Sequence, residues 1–470
     1  MRNFLHQVSG FLFFTAMWVF PAASFAGERV SMIESVERAF LYNPELKSSQ
    51  ENRQVSRYAI DRAKAGYLPK MYAYGSAGVS EISDATSRQV QEQHDYRTFT
   101  ESGIKLTQPI WYGGQTMADV AAREAEFSSA DNMLEDKASS LAFDAIAAHI
   151  DLTRRHDLVM LARENVEQHE QILRTVRTRY NTNISTVGEL NQVLSRHARA
   201  KATLSAYESS LDAANATYLR ITGRNAGDLV PAVETALAFA DIEAVREACL
   251  AGNPRIRAAI TDVNAAIGDR DVAESRYYPR LDAEFGPAWS DRDTKADARY
   301  DSVEASLRMR WDIFSGGADQ ASVRMSNARI RQSRQILHAL MNILNEDIES
   351  SYSRWLSSVV QAKEYDAAKK ASRLAREDYY RQFLSAQRSL IDVLDAENDY
   401  FYAAGQEVMC ASDRVIATYR LLTLSGALLP RLNINVASLR ADQATTGESG
   451  EHLRSAFDTP LFSKSSSAKK

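Results

Sequence analysis

Two acids late in the chain are the residues best placed to do chemistry. Asp392 and Asp395 stand in the segment Leu390-Ile-Asp-Val-Leu-Asp-Ala396, and their spacing of three puts both carboxylates on one face of a helix. Clustered exposed acids attract cations. A plainer interpretation is that they are acids at the start of a helix, which the helix dipole stabilises.

No other set of residues in the sequence predicts catalysis or a bound cofactor. We find no nucleophile–base–acid triad, phosphate-binding loop or zinc signature, so we expect no enzyme activity, cofactor or metal ion. Gly113-Gly114 and Gly316-Gly317 lack a following Lys-Ser or Lys-Thr. We interpret them as turns from a strand into a helix. The net charge of −5 gives no positive field for binding nucleic acid.

The N-terminus indicates export. Residues 1–26 are typical of a signal peptide, with Arg2, an apolar segment over 11–20 and small residues before Gly27. No later apolar segment reaches the ~20 residues that a membrane helix needs. The only cysteines are Cys249 and Cys410, too few for a disulfide framework, and the sequence does not decide whether they pair.

The chain contains an internal duplication. Tyr67-Leu-Pro-Lys-Met71 returns as Tyr277-Tyr-Pro-Arg-Leu281, a shift of 277 − 67 = 210, and Ile110-Trp-Tyr-Gly-Gly114 returns as Ile313-Phe-Ser-Gly-Gly317, a shift of 313 − 110 = 203. We therefore predict a first repeat over 27–224, a connection over 225–252, a second repeat over 253–430 and a polar, partly disordered tail over 431–470.

Each repeat holds one predicted strand pair, at about 69–112 and about 279–314. From Val303 to Ile313 the odd positions are apolar, and the even positions are polar or charged, which indicates a strand. No other strands are evident to cover the apolar face. Strands of about this length match a bilayer when tilted, so the pattern favours membrane strands over a soluble sandwich.

Each repeat then continues into a long helix. Pro and Gly are absent between Gly114 and Gly188 and between Gly317 and Gly405. We predict long helices over 115–180 and 317–384, with returning helices over 187–223 and 389–426. At 1.5 Å per residue the first would span roughly 100 Å, and its apolar heptad positions predict a coiled coil.

Two repeats supply four strands, which cannot close a membrane barrel alone, because the smallest barrels have about eight. Several copies must therefore share one barrel. The even positions facing its interior are charged, and a water-filled interior favours three copies and twelve strands over two copies and eight. These charged residues are Asp282, Glu284, Glu304, Arg308, Arg310 and Asp312.

The duplicated halves, the Asn43-Pro44 and Asn253-Pro254 pairs, the Gly-Gly exits and the 390–396 segment together resemble the TolC outer-membrane efflux family. The resemblance implies an α+β membrane protein. Its homotrimer would form a twelve-stranded barrel in outer-membrane lipid and an α-helical tunnel in the periplasm. It also implies two partners, a periplasmic adaptor (membrane fusion) protein and an inner-membrane ABC or proton-driven transporter. The expected function is a passive exit duct for type I protein secretion or small-molecule efflux.

The resemblance further implies a gate at the periplasmic tip. Asp392 and Asp395 would form an acidic ring there, with six carboxylates in a trimer. Arg388 occupies the family's arginine position and Glu189 that of a first-repeat acid. We predict a contact between them as a latch, worth at most ~1 kcal/mol because it is exposed. Phe383 stands where family members often place a Tyr, whose hydroxyl joins the latch.

Two other functions compete with the exit duct. One is a trimeric coiled-coil stalk or adhesin anchored by a small barrel, and the other is a soluble periplasmic coiled-coil adaptor. A stalk of that kind places its barrel segment at the chain end, whereas the strands here recur in mid-chain. The sequence does not name the cargo.

Overall fold

A computed structural model describes residues 29–81, 89, 96–232, 239, 241–292, 299–435 and 439–440. The predicted signal peptide and most of the predicted tail lie outside these residues. The described chain is mainly helical with antiparallel sheet, which confirms the predicted α+β class. Within these ranges, no helix combines the length and apolarity needed to cross a membrane.

The two repeats follow the same order of elements. The first contains α1 (Met32–Tyr42), α2 (Pro44–Lys64), β2 (Lys70–Glu81), β3 (Tyr96–Trp111), α3 (Gln115–Asn181) and α4 (Val187–Thr222). The second contains α5 (Ile242–Gly252), α6 (Pro254–Glu274), β5 (Arg280–Arg292), β6 (Tyr300–Arg310), α7 (Ala318–Leu384) and α8 (Leu390–Leu424). The short elements include β1 (Arg29–Val30), β4 (Asp228–Leu229), α9 (Leu428–Arg431) and two 3-10 turns that follow α2 and α6, over Ala65–Tyr67 and Ser275–Tyr277. Helix α5 corresponds to α1, since both are 11 residues long and both end at an Asn-Pro pair.

The Asn-Pro pairs join two helices within each repeat. Asn253 Oδ1 accepts hydrogen bonds from the backbone N–H groups of Arg255, at 2.9 Å, and Ile256, at 3.3 Å, and Asn43 caps α2 in the same way. The proline that follows has no N–H, but this position of a helix does not need one. The motif therefore ends one helix and starts the next within a single residue.

The four long strands form one antiparallel sheet in the order β2-β3-β5-β6. Directly paired residues share a face, and one such row is Met71, Leu106, Phe285 and Ala305. On the other face, the Glu284 carboxylate lies 3.0 Å from both Lys105 Nζ and Arg308 Nη2. The alternation thus separates an apolar face from a face of paired charges.

Strand β6 ends at Arg310, earlier than the predicted end near 314. Its last pair is Arg280 with Arg310, so Trp311 would lie opposite Pro279, which has no N–H to offer. The Trp311 indole N–H instead donates to the Tyr277 carbonyl at 3.1 Å. The chain leaves the sheet there and turns towards α7.

The two 67-residue helices, α3 and α7, have different surroundings. Helix α3 packs against α2 and α6 in its first half and against α4 and α8 in its second half, whereas α7 packs against α6 and α8. Helix α7 therefore lies at a flank of the protomer. Its outer side exposes Leu356, Val360 and Leu374, whose spacing of four and fourteen residues places them along one stripe.

The two Asn-Pro junctions should differ in how much their asparagines stabilise the folded protein. Asn253 is buried and its Nδ2 also donates to the Leu424 carbonyl at 2.9 Å, whereas Asn43 makes only the cap bonds among the described residues. We expect Asn253→Ala to cost about 2 kcal/mol, because it loses both a cap and a buried hydrogen bond. Asn43→Ala should cost about 1 kcal/mol. Thermal unfolding followed by helical circular dichroism in detergent compares the two; equal shifts would contradict the extra bond.

Candidate functional site

The tips of the two helical hairpins are built alike. Helix α3 returns into α4 and α7 into α8 through short turns. Thr186 Oγ1 accepts from the Glu189 backbone N–H at 3.2 Å, and Ser389 Oγ accepts from that of Asp392 at 3.3 Å. Glu189 and Asp392 therefore hold equivalent places in the first turn of the returning helices, where the helix dipole favours an acid.

The predicted partners Arg388 and Glu189 each bind within their own hairpin. The Glu189 carboxylate accepts from the backbone N–H of its cap residue at 2.8 Å. The Arg388 guanidinium lies 3.8 Å from the centre of the Tyr379 ring, and it lies 3.3 Å from Gln382 Oε1 and 3.8 Å from Asp392 Oδ2. Among the described residues of this one chain the predicted contact is therefore not formed. A contact between two copies stays a prediction.

Arg179, at the end of α3, makes one of the links between hairpins that the sequence did not predict. Its Nη2 donates to the carbonyls of Phe383, at 2.8 Å, and Leu384, at 3.0 Å. Its guanidinium also lies 4.2 Å from the centre of the Phe383 ring. These carbonyls belong to the last turn of α7, which the helix itself leaves without i+4 partners, and the Phe383 carbonyl also accepts from the Ala386 backbone N–H at 3.1 Å. Phe383 thus takes part in the tip through its ring and backbone, without a hydroxyl.

All four hairpin helices share an apolar cluster beneath the turns. Its buried members are Ile172, Leu173 and Val176 from α3, Val193 from α4, Phe383 from α7, and Leu390, Val393 and Leu394 from α8. At this cluster, the apolar heptad positions of the four helices meet. The tip is therefore held by burial of apolar surface, with polar contacts around it.

Asp392 and Asp395 both keep exposed carboxylates, but each lies near an arginine. Asp395 Oδ1 is 3.4 Å from Arg196 Nη2 on α4, and the Asp395 side chain is 59% exposed. Asp392 also accepts a hydrogen bond from Ser389 Oγ at 2.9 Å. Each protomer therefore places Arg388 and Arg196 beside its two acids, which reduces the negative field of the predicted ring.

Arg196 and Arg179 each left a weak signal in the sequence. Arg196 lies seven residues after Glu189, which puts it on the same side of α4. Arg179 lies in the last turn of a helix, where cations often bind free carbonyls. Neither position identifies the partner in the other hairpin.

The strand-to-helix turns contain the four predicted glycines. Gly113, Gly114, Gly316 and Gly317 all have φ between 64° and 84°, a conformation that glycine adopts without steric cost. A Cβ on Gly113 would lie 2.6 Å from the Ser275 carbonyl oxygen.

Cys249 and Cys410 are buried and free.

A four-stranded antiparallel sheet that continues into two long helical hairpins with a common tip defines an outer-membrane channel protein. The family model for outer membrane efflux proteins matches residues 36–224 and 245–427. The chain therefore belongs to the outer membrane efflux protein family. The predicted resemblance to TolC-like channels, the outer-membrane location and the role of exit duct are confirmed.

Individual relatives agree with this assignment. The chain is 25% identical to the outer membrane efflux protein BepC of Brucella suis over 409 residues, covering 86% of this chain and 88% of BepC. It is 20% identical to the alkaline protease secretion protein AprF of Pseudomonas aeruginosa, covering 85% of each chain. The Campylobacter jejuni CmeC outer membrane channel has the same fold, with a TM-score of 0.74 at 12% identity, covering 93% of this chain and 99% of CmeC.

The Arg179 contacts predict a local loosening in a variant that lacks them. Arg179→Met removes two hydrogen bonds and a cation–π contact, together about 1.4 kcal/mol or more. We expect amide hydrogen exchange across 380–390 to accelerate about tenfold. Arg177→Met, at an exposed arginine on the same helix, is the matched control. Equal exchange in both variants would show that Arg179 does not hold the tip.

Proposed function

We propose that three copies of this chain form the exit duct of a tripartite export system. The observation that carries the proposal is the pair of sheet edges: in the described chain, β2 and β6 each pair on one side only. Edge strands in lipid cannot leave backbone groups unpaired. Another copy must therefore complete the sheet.

The strand directions support a closed cylinder. Because each neighbouring pair is antiparallel, β2 and β6 run in opposite directions. Strand β6 of one copy can thus pair antiparallel with β2 of the next, and the pattern repeats around a ring. Three copies of four strands give twelve, and the face that carries Lys105, Glu284 and Arg308 would line an aqueous interior.

The helices support the same closure. Helix α7 lies at one flank of the protomer, and α2 and α4 lie at the other. The exposed stripe of Leu356, Val360 and Leu374 on α7 would then pack against the neighbouring copy and bury its apolar surface. A continuous helical tube follows, which extends the duct into the periplasm.

The proposed partners are an inner-membrane transporter, of ABC or proton-driven type, and a periplasmic adaptor. The names of the relatives support both kinds of cargo, since BepC is named for efflux and AprF for protease secretion. A duct wall contacts its cargo weakly, so the transporter would select the cargo. Conductance of the purified protein in planar bilayers tests the duct directly, because a stalk or a soluble adaptor would not conduct ions.

We further propose that the tip is the gate. Asp392 and Asp395 would surround the entrance, and Arg388 would latch one copy to the next. The exposed positions of both acids support the ring, and the one-third exposure of Arg388 leaves its guanidinium accessible to a neighbour. The adjacent Arg196 predicts a moderate preference for cations instead of a strong one.

The α7 stripe predicts the oligomeric state of variants. In the double variant with Leu356→Glu and Val360→Glu, two carboxylates would be buried between copies, so trimers should dissociate or fail to form. Ala368→Glu, at an exposed position of the same helix about a third of a turn away from Leu356, should leave the trimer intact. Light scattering of the detergent complex gives the mass of each variant. A trimeric double variant would place the stripe outside the interface.

The tip charges predict opposite changes in ion selectivity. Asp395→Asn should lower the cation preference, and Arg196→Gln should raise it, because it removes the cation beside Asp395. Reversal potentials under a KCl gradient measure both. If Asp392→Ala combined with Asp395→Ala leaves selectivity unchanged, the acids do not line the entrance.

A further inference from the structure

A partly buried charged cluster joins the two hairpins above the tip. Arg376 on α7 places Nη1 3.1 Å from Glu164 Oε1 on α3 and 3.5 Å from Glu397 Oε1 on α8. Its guanidinium also lies 4.0 Å from the centre of the Tyr400 ring. One arginine on α7 thus contacts two other helices, α3 and α8, and of these contacts the one with Glu164 crosses between the hairpins.

The two carboxyl groups have different environments. The Glu397 side chain is 3% exposed, whereas that of Glu164 is 42% exposed. A single guanidinium balances one negative charge, and Glu164 is both the closer and the more exposed of its two carboxylate partners. Ionised Glu397 would add a second, buried negative charge, which is costly. Burial accordingly raises the pKa of Glu397 to about 7; the opposing attraction of Arg376 is smaller, and the Glu164 charge adds to the rise.

We propose that Arg376 and Glu397 form a proton-dependent lock, in which separation of α3 from α7 and α8 exposes the Glu397 carboxyl to water and releases its proton. Arg376 and Glu397 are then positioning residues for the gate, acting through the hairpins and not on the cargo. This inference rests on the proposed opening at the tip.

The surrounding groups and the direction of the effect follow from the geometry. Glu164 faces Glu397 from α3, Arg376 faces it from α7, and Tyr400 lies one turn on along α8. Glu167 and Lys369 line the groove beside Tyr400. The packed state holds the Glu397 proton more tightly than the open state. Protonation therefore stabilises packing fully below the ordinary pKa of 4.5, and this stabilisation is lost as the pH rises through about 7.

The test is the open probability of single channels in planar bilayers from pH 5 to 8. In the wild type we expect opening to increase with pH, by at most about tenfold per unit for each protomer, and to level off above about 7. Glu397→Gln should lose this dependence, because its amide does not titrate. Glu164→Gln should keep it but shift the midpoint to lower pH, because the neighbouring negative charge is gone.

Glu377→Gln is the matched control. Glu377 is the next residue on α7, and its carboxylate pairs with Arg373 at the surface, so the wild-type profile should persist. A Glu397→Gln profile identical to that of the wild type would overturn the lock. If Glu397→Gln does not assemble, an unshifted Glu164→Gln midpoint would overturn it equally. A wild-type protein that conducts at no pH would instead refute the exit duct.

Discussion

The rest of the structure depends on the unpaired backbone groups at the two edges of the β2-β3-β5-β6 sheet. In lipid, a strand edge has no water to form hydrogen bonds with. Each backbone group left unpaired there costs on the order of several kcal/mol of free energy. Four strands do not close on themselves at this size, so in the proposed duct further copies of the chain would complete the sheet. The hairpins that leave the sheet would then lie side by side around one axis.

The tip combines two kinds of interaction of different strength. An apolar cluster from all four helices supplies most of the packing, and exposed ion pairs such as Asp395 with Arg196 contribute little individually. Arg179 and Arg376 lie between these extremes, because each is partly buried and each connects the first hairpin to the second. In the proposed gate, these few contacts would decide how readily the two hairpins separate.

The sequence predicted the elements well, because each has a distinct period. Alternation marks the strands, heptads mark the long helices, and Asn253-Pro254 marks a helix junction. The predicted end of a strand was wrong where the alternating sequence pattern continues beyond the strand pairing. Strand β6 ends at Arg310 because the partner position is Pro279, although the alternation continues to Ile313.

The sequence by itself determined the duplication, the apolar faces and the positions of the acids at the helix starts, since these depend on residues near one another in the chain. Only the tertiary structure decided which charges meet. A long arginine side chain can reach several groups. The helix period determines on which face of its helix a residue lies, but not which residue of another helix it contacts. The Arg388–Glu189 contact, which the family resemblance implies, therefore stays a prediction between copies, whereas within one chain Arg179, Arg196 and Arg376 make contacts between the two hairpins.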